Sequence, residues 1–153
     1  MSHWISGKLD LVCSLAILRR ALLNIMPEWE QFMETAEGGS LSINNYHTNK
    51  TMGGYDLKVN LKQGGQRAPG FQYADIGFKK NADGTWSTDI DETYIRINGV
   101  QTLQGAIQRE VGAMKAQAIA RQVGGRTVGV RTSGGRTKVK MHVPQKEAYR
   151  LRA

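Results

Sequence analysis

Arg126-Thr127-Val128-Gly129-Val130-Arg131-Thr132-Ser133-Gly134-Gly135-Arg136-Thr137-Lys138-Val139-Lys140-Met141-His142-Val143 is the stretch on which the fold turns. A tight two-residue hairpin turn needs positive φ, which glycine adopts without steric cost, so Gly134-Gly135 predicts a turn between two strands. In that register Ser133 faces Arg136, Thr132 faces Thr137, Val130 faces Val139 and Val128 faces Met141. Strand side chains alternate between faces. The pattern therefore predicts Val128, Val130, Val139 and Met141, with Thr132 and Thr137, on a core face. Arg131, Arg136, Lys138, Lys140 and His142 fall on the other.

Arg131 would then stand directly opposite Lys138, and like charges so placed cost up to about 1 kcal/mol. Carboxylates from a neighbouring strand, solvent and salt, or an anionic partner can offset that cost. The charge of the whole chain sharpens the choice. Residues 1–100 hold ten Lys and Arg against eleven Asp and Glu, whereas residues 101–153 hold eleven against two, so the excess of +8 comes entirely from the last third. Such asymmetry points to polyanion contact and says nothing of fold.

Upstream of the hairpin, Thr102 opens a long helix with Leu103, Ala106 or Ile107, Val111, Met114 and Ala118 as its core face. Gln104, Gln108, Arg109, Lys115 and Arg121 are expected mostly outside, and Gly124-Gly125 supplies a left-handed stop. Earlier still, residues 2–9 read as a strand. Leu11, Leu15, Leu18, Leu22 and Ile25 recur at helical steps behind a cap at Asp10 or Ser14. Pro27 ends that helix, and residues 28–37 predict a short second helical piece packing Trp29, Phe32 and Met33.

From residue 40 the period changes to two. Leu41 and Ile43 share a strand face, residues 47–54 read as a polar loop, and Tyr55, Leu57, Val59 and Leu61 alternate with polar residues in a half-buried strand. Residues 63–70, rich in glycine, form the loop most suited to induced order. Strands follow over residues 71–79 and 85–91 around an Asn81-Ala82-Asp83-Gly84 turn, and residues 92–100 extend or cover the sheet. The expected architecture is α+β: one domain over residues 1–144, a mostly antiparallel sheet with two main helices on one face, in the order β-α-β-β-β-β-α-β-β. Residues 145–153 form a basic tail.

The single cysteine, Cys13, excludes an intramolecular disulfide and suits a reducing compartment. No stretch approaches the roughly 20 apolar residues of a membrane span, and Met1-Ser2-His3-Trp4 lacks the basic start of a signal peptide. A cytoplasmic location and no membrane partner are therefore expected.

Met1-Ser2-His3-Trp4, the run Ala74-Asp75-Ile76-Gly77-Phe78-Lys79-Lys80-Asn81-Ala82-Asp83-Gly84, Asp91 just after it, and Gln108-Arg109 in the last helix resemble the family catalogued as domain of unknown function 1257. These are small uncharacterised proteins of cyanobacteria, plastids and other bacteria. The resemblance implies an intracellular α+β domain and supplies no catalytic residues. The penultimate strand of that family is typically acidic, whereas residues 126–132 here are basic, which implies a different partner for this chain.

His3, His47 and His142 make no metal-ligand spacing. Asp89 and Asp91 share a strand face with Glu92 following, a group that either holds a divalent cation for metal-dependent activity or balances the cationic hairpin across the sheet. The glycine pairs lack the context and Lys-Ser/Thr ending of a phosphate loop, and no Ser-His-Asp or Cys-His arrangement stands out. A non-enzymatic binding module without a cofactor is the leading expectation. Arg126, Arg131, Arg136, Lys138 and Lys140, with Lys146, Arg150 and Arg152 of the tail, would touch phosphates of RNA or DNA without reading sequence. The alternative is an interaction protein whose basic face docks an acidic protein or a second copy of the chain. Tyr149 is the only aromatic in the basic third, which argues there against a stacking platform.

Overall fold

A computed structural model describes residues 3–94 and 102–122, together with the backbone of residues 126–133 and 136–142. Strand β1 (Trp4–Leu9) leads to helix α1 (Leu15–Ile25). Ser14 is the cap: its Oγ accepts from the Ile17 N–H at 3.2 Å, satisfying one of the donors every helix start leaves over. The predicted stripe is the packed one, with Leu18 and Leu22 buried and Leu11, Leu15 and Ile25 packed half-buried against the core.

Pro27 suits a first helical turn because its missing N–H is not needed there, and Pro27–Phe32 is a single 3-10 piece. The helical reading of residues 28–37 stops at that point. Met33–Thr35 is instead strand β2, paired with the later strand β5 (Leu57–Val59). The Asn60 N–H donates to the Phe32 carbonyl at 2.7 Å, so long-range pairing overrides local helix preference.

Strands β3 (Leu41–Asn45) and β4 (Lys50–Tyr55) form an antiparallel hairpin, which corrects the polar loop expected over residues 47–54. Its turn is set by the Asn45 carboxamide, whose oxygen accepts from the N–H groups of His47 and Thr48 at 2.9 and 3.1 Å. The Tyr55, Leu57, Val59, Leu61 alternation is buried at all four positions. Its strand is nevertheless broken at Asp56, whose carboxylate accepts from the backbone N–H groups of Gly39 and Lys80, each at 2.8 Å. Overlapping residues 63–70, a small hairpin forms from β6 (Lys62–Gln63) and β7 (Gln66–Arg67) around two glycines at positive φ. Strands β8 (Ile76–Lys80) and β9 (Trp86–Asp91) complete the central sheet. The strand expected over residues 71–79 therefore starts late, because residues 72–74 serve a buried carboxylate instead.

The sheet is antiparallel throughout, in the order β1-β9-β8-β5-β2. Against one face lie α1 and the long helix α2 (Leu103–Gln122), with Leu9, Trp86, Ile90, Leu103, Ile107 and Val111 in one apolar cluster. The α+β expectation, with both main helices on one face, is the observed architecture. The β3–β4 hairpin covers the opposite face at Gly77, where an added Cβ would lie 2.5 Å from the Tyr55 ring and 3.0 Å from Ile43. Both neighbours are buried, so glycine is the residue that admits this layer.

Helix α2 begins as expected, with the Thr102 hydroxyl accepting from the Gly105 N–H at 3.1 Å. Leu103, Ile107 and Val111 are buried, whereas Ala118 is exposed and Ala116 and Ala120 are buried in its place. The core face is thus displaced in the second half, the part of the chain that leads into the final hairpin, β10 (Arg126–Ser133) and β11 (Arg136–His142). That hairpin lies against α2 as a two-stranded sheet and, among the described residues, shares no ladder with the central one.

Candidate polyanion interface

Pairing of Ser133 with Arg136 brackets the two glycines, and Thr132–Thr137, Arg131–Lys138 and Val130–Val139 follow in the predicted register. The agreement ends at a bulge. Gly129 pairs with Lys140, Thr127 with Met141 and Arg126 with His142, so the Val128–Met141 pairing is replaced. A glycine inside a strand weakens the ladder and marks such insertions. The predicted register consequently holds from the turn to the Gly129–Lys140 pair and shifts by one residue beyond the bulge. Like charges at Arg131 and Lys138 do stand opposite each other in the ladder.

Arg126 and Arg131 lie on β10; Arg136, Lys138 and Lys140 lie on β11. Lys146, Arg150 and Arg152, the Gly124-Gly125 stop, residues 95–101 and the rest of the tail lie outside the described residues. Helix α2, against which the hairpin lies, carries Arg109, Lys115 and Arg121, all exposed as expected. Its one acidic side chain, Glu110, accepts from the Asn24 carboxamide at 2.9 Å. Lys115 donates to the Val12 carbonyl at 3.1 Å.

Asp89, Asp91 and Glu92 each have partners among the described residues. Asp89 accepts from the Ser6 and Tyr55 hydroxyls, each at 2.6 Å. Burial and this hydrogen bond both raise the Tyr55 pKa, and Lys79 lies 4.5 Å over the ring. Asp91 is fully buried and collects the N–H groups of Gln72, Tyr73, Ala74 and Thr93 and the Thr93 hydroxyl. Glu92 pairs with His3 at 3.1 Å. The three carboxylates thus go to separate partners. Among the described residues no three His, Cys, Asp or Glu side chains converge as a metal site.

Asp75 is a second buried carboxylate, receiving the N–H groups of Leu61 at 2.8 Å and Asn44 at 2.9 Å. Burial pushes its pKa up, against the pull of those two bonds. Between the unfolded carboxylate value of about 4 and the higher folded value, the native state keeps a proton that the unfolded chain releases. Asp75 therefore adds stability that is present below that window and lost as pH rises through it. Glu34, lowered by its bond from Asn60, acts in the opposite sense, adding stability above the unfolded value that is lost on acidification. Urea melts across pH should show the Asp75 component as a descending limb from about pH 4 upward, absent from Asp75→Asn; identical pH profiles for the two proteins would contradict this.

Comparison with protein-family models, curated proteins and solved structures yields no match for this chain. Among the described residues no helix is long and apolar enough to cross a membrane. The signal that sequence reasoning missed lies elsewhere on the surface. Tyr46 and Tyr73, distant in sequence, are joined by a 2.8 Å hydrogen bond from the Tyr46 N–H to the Tyr73 carbonyl.

Proposed function

We propose that this chain is a non-enzymatic binding module whose β10–β11 hairpin contacts a polyanion such as RNA or DNA without sequence specificity. Arg126, Arg131, Arg136, Lys138 and Lys140 supply the phosphate contacts, joined by Lys146, Arg150 and Arg152. The observation that supports the reading is that the hairpin forms a sheet of its own against α2, while Asp89 and Asp91 accept hydrogen bonds from Ser6, Tyr55 and the 72–74 segment. A cationic ladder with Arg131 opposite Lys138 is relieved by an anionic ligand.

Four engaged phosphates release counterions so that log affinity falls against log salt with a slope of about −3 to −4. Fluorescence anisotropy with labelled oligonucleotides between about 50 and 200 mM salt measures that slope. A variant carrying Arg131→Gln, Lys138→Gln and Lys140→Gln should flatten it by about 3. Absence of binding at the lowest salt removes the proposal. So does a stable dimer in sedimentation that buries the hairpin, since the basic face would then be an interface between copies.

A further inference from the structure

We propose that Tyr46 and Tyr73, flanked by Lys62 and Arg67, form a platform on which unpaired nucleobases stack, making the ligand single-stranded RNA or DNA. The inference rests on the polyanion reading and adds a second surface to it. Among the described residues, the large apolar side chains most exposed to solvent are Val12, Ile17, Tyr46, Tyr73 and Ile119. The two aromatic members are neighbours: Tyr46 is 41% and Tyr73 37% exposed, and their backbones are hydrogen-bonded. The His47 ring lies against Tyr73 with centroids 5.4 Å apart.

Two cations flank the pair. Lys62 and Arg67 stand opposite each other across β6–β7, another like-charge pair, and the Lys62 ammonium lies 4.9 Å over the Tyr46 ring. The Arg67 guanidinium donates to the carbonyl of Gln72, the residue before Tyr73, at 2.6 Å. The ion pairs among the described residues are His3–Glu92 and Lys58–Glu34, so neither cation belongs to one. The nearby acids face inward: Asp75 and Asp91 are buried, their oxygens taken by backbone N–H groups.

Those buried acids also make the platform rigid. Asp91 fixes the N–H of Tyr73 itself, Asp75 fixes Asn44, and the Asn45 carboxamide fixes the turn carrying His47. Aromatic faces beside cations bind any base, because every base has a π-face and every nucleotide a phosphate. A duplex keeps its bases stacked internally and gains nothing from such a surface.

The test is anisotropy with a labelled oligothymidylate, the corresponding duplex and a neutral oligosaccharide, using the full chain. The single strand should bind more tightly than the duplex. Tyr46→Ala and Tyr73→Ala should each weaken single-strand binding about tenfold and leave duplex binding unchanged, while the Phe variants stay near wild type. Thermal melts verify that the exposed substitutions leave the fold intact. Single-strand affinity unmoved by both alanines overturns the platform, and if the hairpin glutamines still weaken binding, the hairpin reading survives alone. Tyrosine-dependent binding indifferent to the hairpin variants supports the platform and removes the hairpin. Failure of both oligonucleotides to bind, with or without capture of the oligosaccharide, removes both.

Discussion

Asp91→Ala should destabilise the protein by at least about 3 kcal/mol, because several buried N–H groups lose their acceptor at once and each costs about 1–3 kcal/mol unsatisfied. One Asp91 oxygen accepts from Gln72, Tyr73 and Ala74 at 3.2, 2.6 and 2.8 Å; the other accepts from the Thr93 N–H and hydroxyl at 2.9 and 2.7 Å. The carboxylate has no solvent exposure, so water does not replace it without local opening. Asp91→Asn keeps one acceptor and turns an NH2 toward the remaining donors, so its loss should be intermediate. Urea melts give the total, and hydrogen exchange at Tyr73 and Ala74 localises it. A loss within about 0.5 kcal/mol, the range of an ordinary surface change, would show that the clasp does not hold this segment.

Trp29→Ala should cost about 3–5 kcal/mol, the range for emptying a buried aromatic site. Trp29 is fully buried, meets Phe71 edge-on at 5.6 Å and Tyr94 at 6.0 Å, and donates its indole N–H to the Pro69 carbonyl at 2.7 Å. Trp29→Phe restores most of the ring contact and loses the bond, so its cost should fall nearer 1–2 kcal/mol. Equal losses for the two variants in urea melts would mean that the ring contributes little beyond its hydrogen bond.

The parts of the fold written as strong periodicity were legible. Four alternating apolar residues from Tyr55 to Leu61 are buried, and the α1 stripe packs where its spacing puts it. Boundaries set by remote partners were not. Nothing local tells that Met33 will leave its helical neighbours for Val59, or that Asp56 will interrupt a strand to hold Gly39 and Lys80. Gly53 and Gly54 make β4 read as a loop, although Leu41 and Ser42 pair with Tyr55 and Gly53 through a bulge. Helical period alone puts Ala118 inside, whereas Ala116 and Ala120 are the buried residues in the second half of α2.

The candidate site was legible in charge and turn chemistry, since Gly134-Gly135 set the register correctly as far as Gly129. The role of Asp91 was not, because an acid at a strand end carries no mark of the amides it will meet. Nor was the pairing of Tyr46 with Tyr73, which depends on an isolated bridge between Asn45 and Ala74.

An appendage that completes no ladder of the main sheet is free to change its chemistry. Strands β10 and β11 pair with each other and lie against α2, so the register of the central sheet is set without them. Substitutions in that ladder can therefore alter the charge it carries while the five-stranded register stays as it is.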